Sequence, residues 1–164
     1  MNIHLKIKKD SLESIEHPDE YLELITSKYY DLMKDKNTEW SMFTEDQLTL
    51  HFYMILYNQV QNGGFIQLLW NGYFSYTFET PLIETISEWG AKNTAKILEK
   101  IKLDCSKLAE EIADDDKTDL KLFSKLYEKY PQFDAFDKEF YDEDGVDEVK
   151  KYVENHLNDF IIIE

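Results

Sequence analysis

The sequence predicts an all-α fold, a compact multi-helix single domain over residues 1–164 to which the chain ends could add a minor strand pair. Three observations predict it. Apolar residues recur in steps of three and four along most of the chain, helix start and stop residues punctuate those runs, and the breaks between them are short. With 164 residues, 43% of them hydrophobic and 15% aromatic, the chain can also bury one core.

The opening segment, residues 1–15, alternates Ile3, Leu5 and Ile7 with His4, Lys6 and Lys8, a period of two that reads as a short strand or extended arm. Pro18 with Asp19 and Glu20 makes a first helical turn, and Tyr21, Leu22, Ile25, Tyr29, Leu32 and Met33 continue it towards Lys36. Thr44 and Gln47 form a capping box for a helix running to about Asn62, apolar on nearly every face. Phe65 to Trp70 reads as a short helix, Asn71-Gly72 as its stop and Tyr73 to Phe78 as an aromatic loop. Thr80 is expected to cap a helix with Pro81 in its first turn, closed by Gly90 after Trp89. Ala91, Ala95, Leu98, Ile101, Cys105, Leu108 and Ile112 then form one apolar stripe. A helix from about Thr118 stops at Tyr130 before Pro131, shorter pieces follow at Phe133 to Tyr141 and Val146 to Leu157, and Phe160 to Ile163 could pair with the opening strand.

Composition narrows function. The formal charge is -16, from 34 acidic and 18 basic residues, and all the basic ones are Lys. Without Arg there is no bidentate fork for phosphate or guanine edges, so direct nucleic-acid binding is not expected and a basic protein surface is the favoured partner. One cysteine, Cys105, cannot build an internal disulfide framework, no apolar run reaches membrane-spanning length, and the first residues lack a secretory pattern; a cytoplasmic protein is the simplest reading.

The most distinctive stretch is Gln61-Asn62-Gly63-Gly64-Phe65-Ile66-Gln67 with Asn71-Gly72. It reads as a tight helix-to-helix corner in which Gly63 takes the left-handed turn, Gly64 lets backbone approach closely, Phe65 plugs the core, and Gln67 and Asn71 share a face. A phosphate loop is excluded, since the strand context and the Lys are missing.

This corner resembles the DNA-mimic-protein family, small acidic bacterial helical proteins grouped as a domain of unknown function and named after a member that imitates DNA. Trp89-Gly90-Ala91-Lys92 leading to Ala95, Ile97 and Leu98, and Phe133-Asp134-Ala135-Phe136-Asp137 with Phe140-Tyr141, carry the likeness onward, so that it covers roughly residues 44–160 as a helical core. The resemblance implies an all-helical fold, a homodimer and DNA mimicry.

The charge is uneven. Residues 109–164 hold eighteen acids and seven lysines, and the central residues 58–108 hold five of each. The acidic surface expected to bind a partner comprises Asp114, Asp115, Asp116, Glu139, Asp142, Glu143, Asp144, Asp147 and Glu148. Residues four apart on a helix rise about 6 Å, near the roughly 6 to 7 Å between neighbouring phosphates of a strand. Glu139, Glu143 and Asp147 have that spacing if the helix is continuous, which Gly145 would interrupt. Simpler roles compete: Asp114 to Asp116 could cap the following helix, and Lys117, Lys121, Lys125 and Lys129 form a stripe that breaks a uniform negative face.

No catalytic, metal or cofactor site is expected. An EF-hand placed on Gly145 would put Phe140 first and Lys151 twelfth, the four histidines lack ligand spacing, and Cys105 lies on a buried stripe. The leading reading is an acidic regulator that occupies the DNA-binding surface of a bacterial protein. The alternative is an immunity or antitoxin-type protein, and a third is a small-molecule role for a groove beside Gln67, Asn71 and the aromatic loop.

Overall fold

The computed structural model describes Ile3 and Leu5–Glu164; Met1, Asn2 and His4 of the expected N-terminal arm lie outside the described residues. The fold is all-α. Along the chain run β1 (Lys6–Ile7), α1 (Lys9–Glu13), α2 (Pro18–Met33), a 3-10 turn (Trp40–Met42), α3 (Glu45–Trp70), α4 (Phe74–Phe78), α5 (Leu82–Glu88), α6 (Lys92–Ile112), α7 (Leu120–Lys129), α8 (Gln132–Asp142), α9 (Val146–Asn155), α10 (Leu157–Phe160) and β2 (Ile162–Ile163). They fall into two compact units, Met1–Met54 with Val146–Glu164, and Ile55–Gly145; α3 contributes residues to both.

In the first unit the chain ends pair as parallel strands, Lys6 beside Ile162 and Ile7 beside Ile163. α2 packs on α9, burying Tyr21, Leu22, Ile25 and Tyr29 on one and Val149 and Val153 on the other. The capping box forms as the sequence predicts: the Thr44 N–H donates to Gln47 Oε1 (2.9 Å) and the Gln47 N–H to Thr44 Oγ1 (3.1 Å). Gln47 then reaches further, its Nε2 donating to the Phe160 carbonyl at 3.2 Å, where the Tyr29 hydroxyl also donates at 2.8 Å. The buried carbonyl of the last helical residue is thereby satisfied by two side chains distant in sequence.

In the second unit α5 and α6 pack together and α6 packs on α8. Every member of the α6 stripe from Ala95 to Ile112 is buried. Phe65 is fully buried and meets the edge of the Phe140 ring at 5.5 Å.

Several expectations need correction. The aromatic stretch after Gly72 is helical, as α4, because Ser75 and Thr80 close the turn: the Glu79 N–H donates to the Ser75 carbonyl and the Thr80 hydroxyl to that of Tyr76. Thr80 therefore finishes α4 and does not cap α5, whose preceding residue is Pro81. The helix after Pro18 ends at Met33, short of Lys36. The short N-terminal strand, by contrast, forms as expected, at Lys6–Ile7, and α1 follows from Lys9. At the α7 start it is Asp119 whose carboxylate accepts the Lys121 and Leu122 N–H groups, while Asp116 accepts from Thr118; the cap belongs to neither Asp114 nor Asp115.

Candidate functional site: a glycine corner and an acidic surface

The distinctive glycine pair kinks α3. Gly64, not Gly63, takes the positive φ: its φ/ψ of 77°/-178° lies in a region open almost only to glycine, whereas Gly63 sits at -158°/18°. The reason lies on α8. Asp137 occupies the same buried stripe as Phe133 and Phe140, and its Oδ1 accepts the Phe65 N–H at 2.8 Å. A Cβ on Gly64 would lie 2.1 Å from Asp137 Oδ2, so the carboxylate fills the space that any side chain there would need.

Two tyrosines complete the attachment. The Tyr127 hydroxyl of α7 donates to the Gly63 carbonyl, and the Tyr141 hydroxyl of α8 donates to the Val60 carbonyl at 3.0 Å. The kink frees backbone groups from the helical ladder, and side chains from the later helices take them up. Burial pushes the Asp137 carboxyl up to about 6; the Phe65 N–H opposes that shift and the Asp134 charge adds to it. Burial also pushes Tyr127 up to about 12, with the Asp137 charge acting in the same direction.

The remaining motif residues form an amide chain. Asn62 Nδ2 donates to Gln67 Oε1 (3.1 Å), while Gln67 Nε2 (3.1 Å) and Asn71 Nδ2 (2.7 Å) both donate to Gln59 Oε1. Gln67 and Asn71 do share a face, and their polar groups are directed at each other's neighbours. Two cavities, of about 210 and 480 Å³, are lined by first-unit residues and include none of these amides or α4 aromatics.

The nine expected acidic residues fall in both units. Asp114, Asp115, Asp116, Glu139, Asp142, Glu143 and Asp144 belong to the second unit, Asp147 and Glu148 to the first. Gly145, with φ at 76°, separates α8 from α9, so the run Glu139, Glu143, Asp147 is not one continuous helix. Five of the nine are engaged: Asp116 by Thr118 (2.7 Å), Glu139 by Lys100, Asp142 by Lys138 (3.0 Å), Glu143 by Asn93 (3.3 Å) and Asp144 by Gln61 (3.1 Å). Asp114, Asp115, Asp147 and Glu148 form no ion pair with the described residues. Of the lysine stripe, Lys117 reaches the Ile112 carbonyl and lies 4.7 Å from the Trp70 ring centre, and Lys129 pairs with Glu111.

By unit the charge is even. The first holds sixteen acids and eight lysines, the second eighteen and ten, a net of -8 each. The bias towards the C-terminal third is thus a property of the linear sequence, shared out by the fold.

The family description "DMP19-like protein" matches residues 41–156. The chain belongs to the DMP19-like family. A relative named DNA mimic protein DMP19, from Neisseria meningitidis serogroup B (strain ATCC BAA-335 / MC58), is 32% identical over 105 residues, which cover 62% of this chain and 61% of the relative. The chain thus spans about three fifths of the length of the curated relative that it matches. The family match contains the whole glycine corner with Asp137, Tyr127 and Tyr141, and leaves out β1, α1, α2, α10 and β2.

Sequence reasoning missed what Asp137, Tyr127 and Tyr141 do in this DMP19-like chain. The signal was present: Asp137 stands four after Phe133 and three before Phe140, a lone carboxylate on an otherwise aromatic helix face. Among the described residues no group of three or more His, Cys, Asp or Glu could hold a metal, and no helix is long and apolar enough to cross a membrane. Burial raises the Cys105 thiol, which keeps it protonated at neutral pH, and lowers His51.

Proposed function

We propose that this DMP19-like protein is a DNA mimic that occupies the basic DNA-binding surface of a bacterial protein. The observation that carries the reading is the 32% identity over 105 residues with a relative named a DNA mimic protein. The physical chemistry supports it. Both units are net negative, and the chain has no Arg to read a phosphate. The exposed face of α8 sets Glu139 and Asp142 one turn apart, with Glu143 following at the helix end. Such carboxylates would stand where DNA presents phosphates, and the neighbouring lysines and amides would fix their positions.

Association by this means is driven by long-range attraction and is screened by salt. The test is affinity capture from bacterial lysate at low ionic strength, eluted either with duplex DNA or with salt. A basic DNA-binding protein released by both is the expected result. A captured partner that holds this protein and duplex DNA together would overturn the reading. The same reading places the protein in the cytoplasm as a homodimer; light scattering that found a 19.6 kDa species at all concentrations would remove the dimer.

A further inference from the structure

A carboxylate buried against glycine backbone is not needed to make a helix corner, because a neutral amide could accept the same N–H. Asp137 is 8% exposed and lies on the helix whose outer side carries Glu139, Asp142 and Glu143. The groups that face it can be named element by element. α3 offers the Phe65 N–H and the bare Cα of Gly64. α6 offers the Cys105 thiol, with Asp104 beside it; α7 offers Tyr127; α8 itself offers Tyr141 and Asp134. No lysine is among them. Lys100 of α6 and Lys138 of α8 are held by Glu139 and Asp142.

We propose that Asp137 is the positioning residue for the acidic face of α8, and that it makes the hold of α8 on the Gly64–Phe65 corner depend on pH. It acts through the corner and touches no partner. When neutral, Asp137 keeps its acceptor for the Phe65 N–H and buries no charge. When ionised, it keeps that bond and adds an uncompensated negative charge among an acid, two phenols and a thiol. The hold is therefore tighter in mild acid and looser above it. The folded protein binds this proton more strongly than the unfolded chain does. Stability from this group is fully present below the ordinary aspartate range, falls as pH rises towards about 6, and is level above that. Tyr127 and Tyr141, both raised, stay neutral and keep donating throughout this window.

The proposal concerns how a mimic surface is regulated and so rests on the mimicry reading for its biological meaning, but its test does not. In the free protein, the Phe65 amide resonance is followed from pH 4 to 8 together with hydrogen exchange of the α8 amides, corrected for intrinsic rates, in wild type and Asp137→Asn. The Phe65 shift should titrate with a midpoint near 6 in wild type and be flat in the variant. Protection of α8 should fall several-fold between pH 5 and 7.5 in wild type and stay constant in Asp137→Asn. A merely structural Asp137 would lower protection in the variant at every pH and leave the profile unchanged. That result, or a Phe65 midpoint in the ordinary carboxylate range, overturns the proposal. Should Asp137→Asn not fold, the wild-type Phe65 midpoint and the Asp137 carboxyl carbon titration decide alone. Failure here leaves capture and DNA competition untouched, and failure of those leaves this titration standing.

Discussion

The two units carry equal net charge, yet their interiors are closed by different chemistry. In Ile55–Gly145 a carboxylate, Asp137, is pressed against glycine backbone and two phenols donate to the carbonyls beside the kink. In the unit formed by the two chain ends, neutral Gln47 and Tyr29 converge on one carbonyl, that of Phe160. The first arrangement contains an ionisable acceptor and so couples packing to pH. The second consists of neutral donors and does not. The family match contains all of the charged arrangement, whereas Tyr29 and Phe160 lie outside it.

The sharpest way to break the comparison is Gly64→Ala. The new Cβ needs the space of Asp137 Oδ2 in a backbone conformation closed to alanine, and displacing Asp137 also strands the Phe65 N–H. The cost should be about 3 to 5 kcal/mol. Gly72→Ala is the control: its φ of 82° is also positive, but nothing lies within 4 Å of the added carbon, so only the left-handed penalty of about 1 kcal/mol applies. Thermal denaturation of both variants at pH 7 decides. Equal midpoints would mean that the carboxylate does not lock the corner.

The neutral arrangement should yield smaller losses that ignore pH. Gln47→Ala removes a buried donor from the Phe160 carbonyl together with the capping box, at about 1 to 3 kcal/mol, and Tyr29→Phe removes the other donor at about 1 kcal/mol. Because both donate to the same oxygen, the double variant should lose more than the sum of the single ones, leaving that carbonyl unsatisfied. Urea denaturation at pH 5.5 and 7.5 should give the same differences. A pH-dependent loss would erase the contrast between the units.

How far the sequence foretold this arrangement depends on the range of the contacts involved. The Thr44–Gln47 box, the α6 stripe and the helix stop before Pro131 are local, set by residues within a few turns, and they stand where the spacing put them. The corner itself was legible as a corner. What was not legible was that Asp137, 72 positions from Phe65, completes it, because pairing over that separation leaves no periodic mark. The same holds for Gln47 and Phe160, 113 apart. α4 was misread because Phe, Ser, Tyr and Thr favour helix weakly, and the helix rests on the turn closed by Ser75 and Thr80 together with the burial of Thr77 and Phe78. The acidic surface was legible as composition alone, since spacing along the chain could not tell which carboxylates lysines would hold.

The smallest effect expected on stability carries the largest consequence for function. Lys100 holds Glu139 of α8 in a pair that is about half exposed on both sides. Exposed pairs of this kind contribute well under 1 kcal/mol, so Lys100→Gln should leave the unfolding midpoint almost unchanged. It nonetheless releases Glu139 and removes a positive charge from beside the acidic face. If that face imitates DNA, the variant should bind the captured basic partner about two- to fivefold more tightly at low ionic strength, and the gain should vanish at high salt. Lys28→Gln makes the same change in net charge on α2, in the other unit, where no pair to an α8 carboxylate is lost. A gain shared equally by both variants would show that net charge alone drives association; one confined to Lys100→Gln would assign recognition to α8.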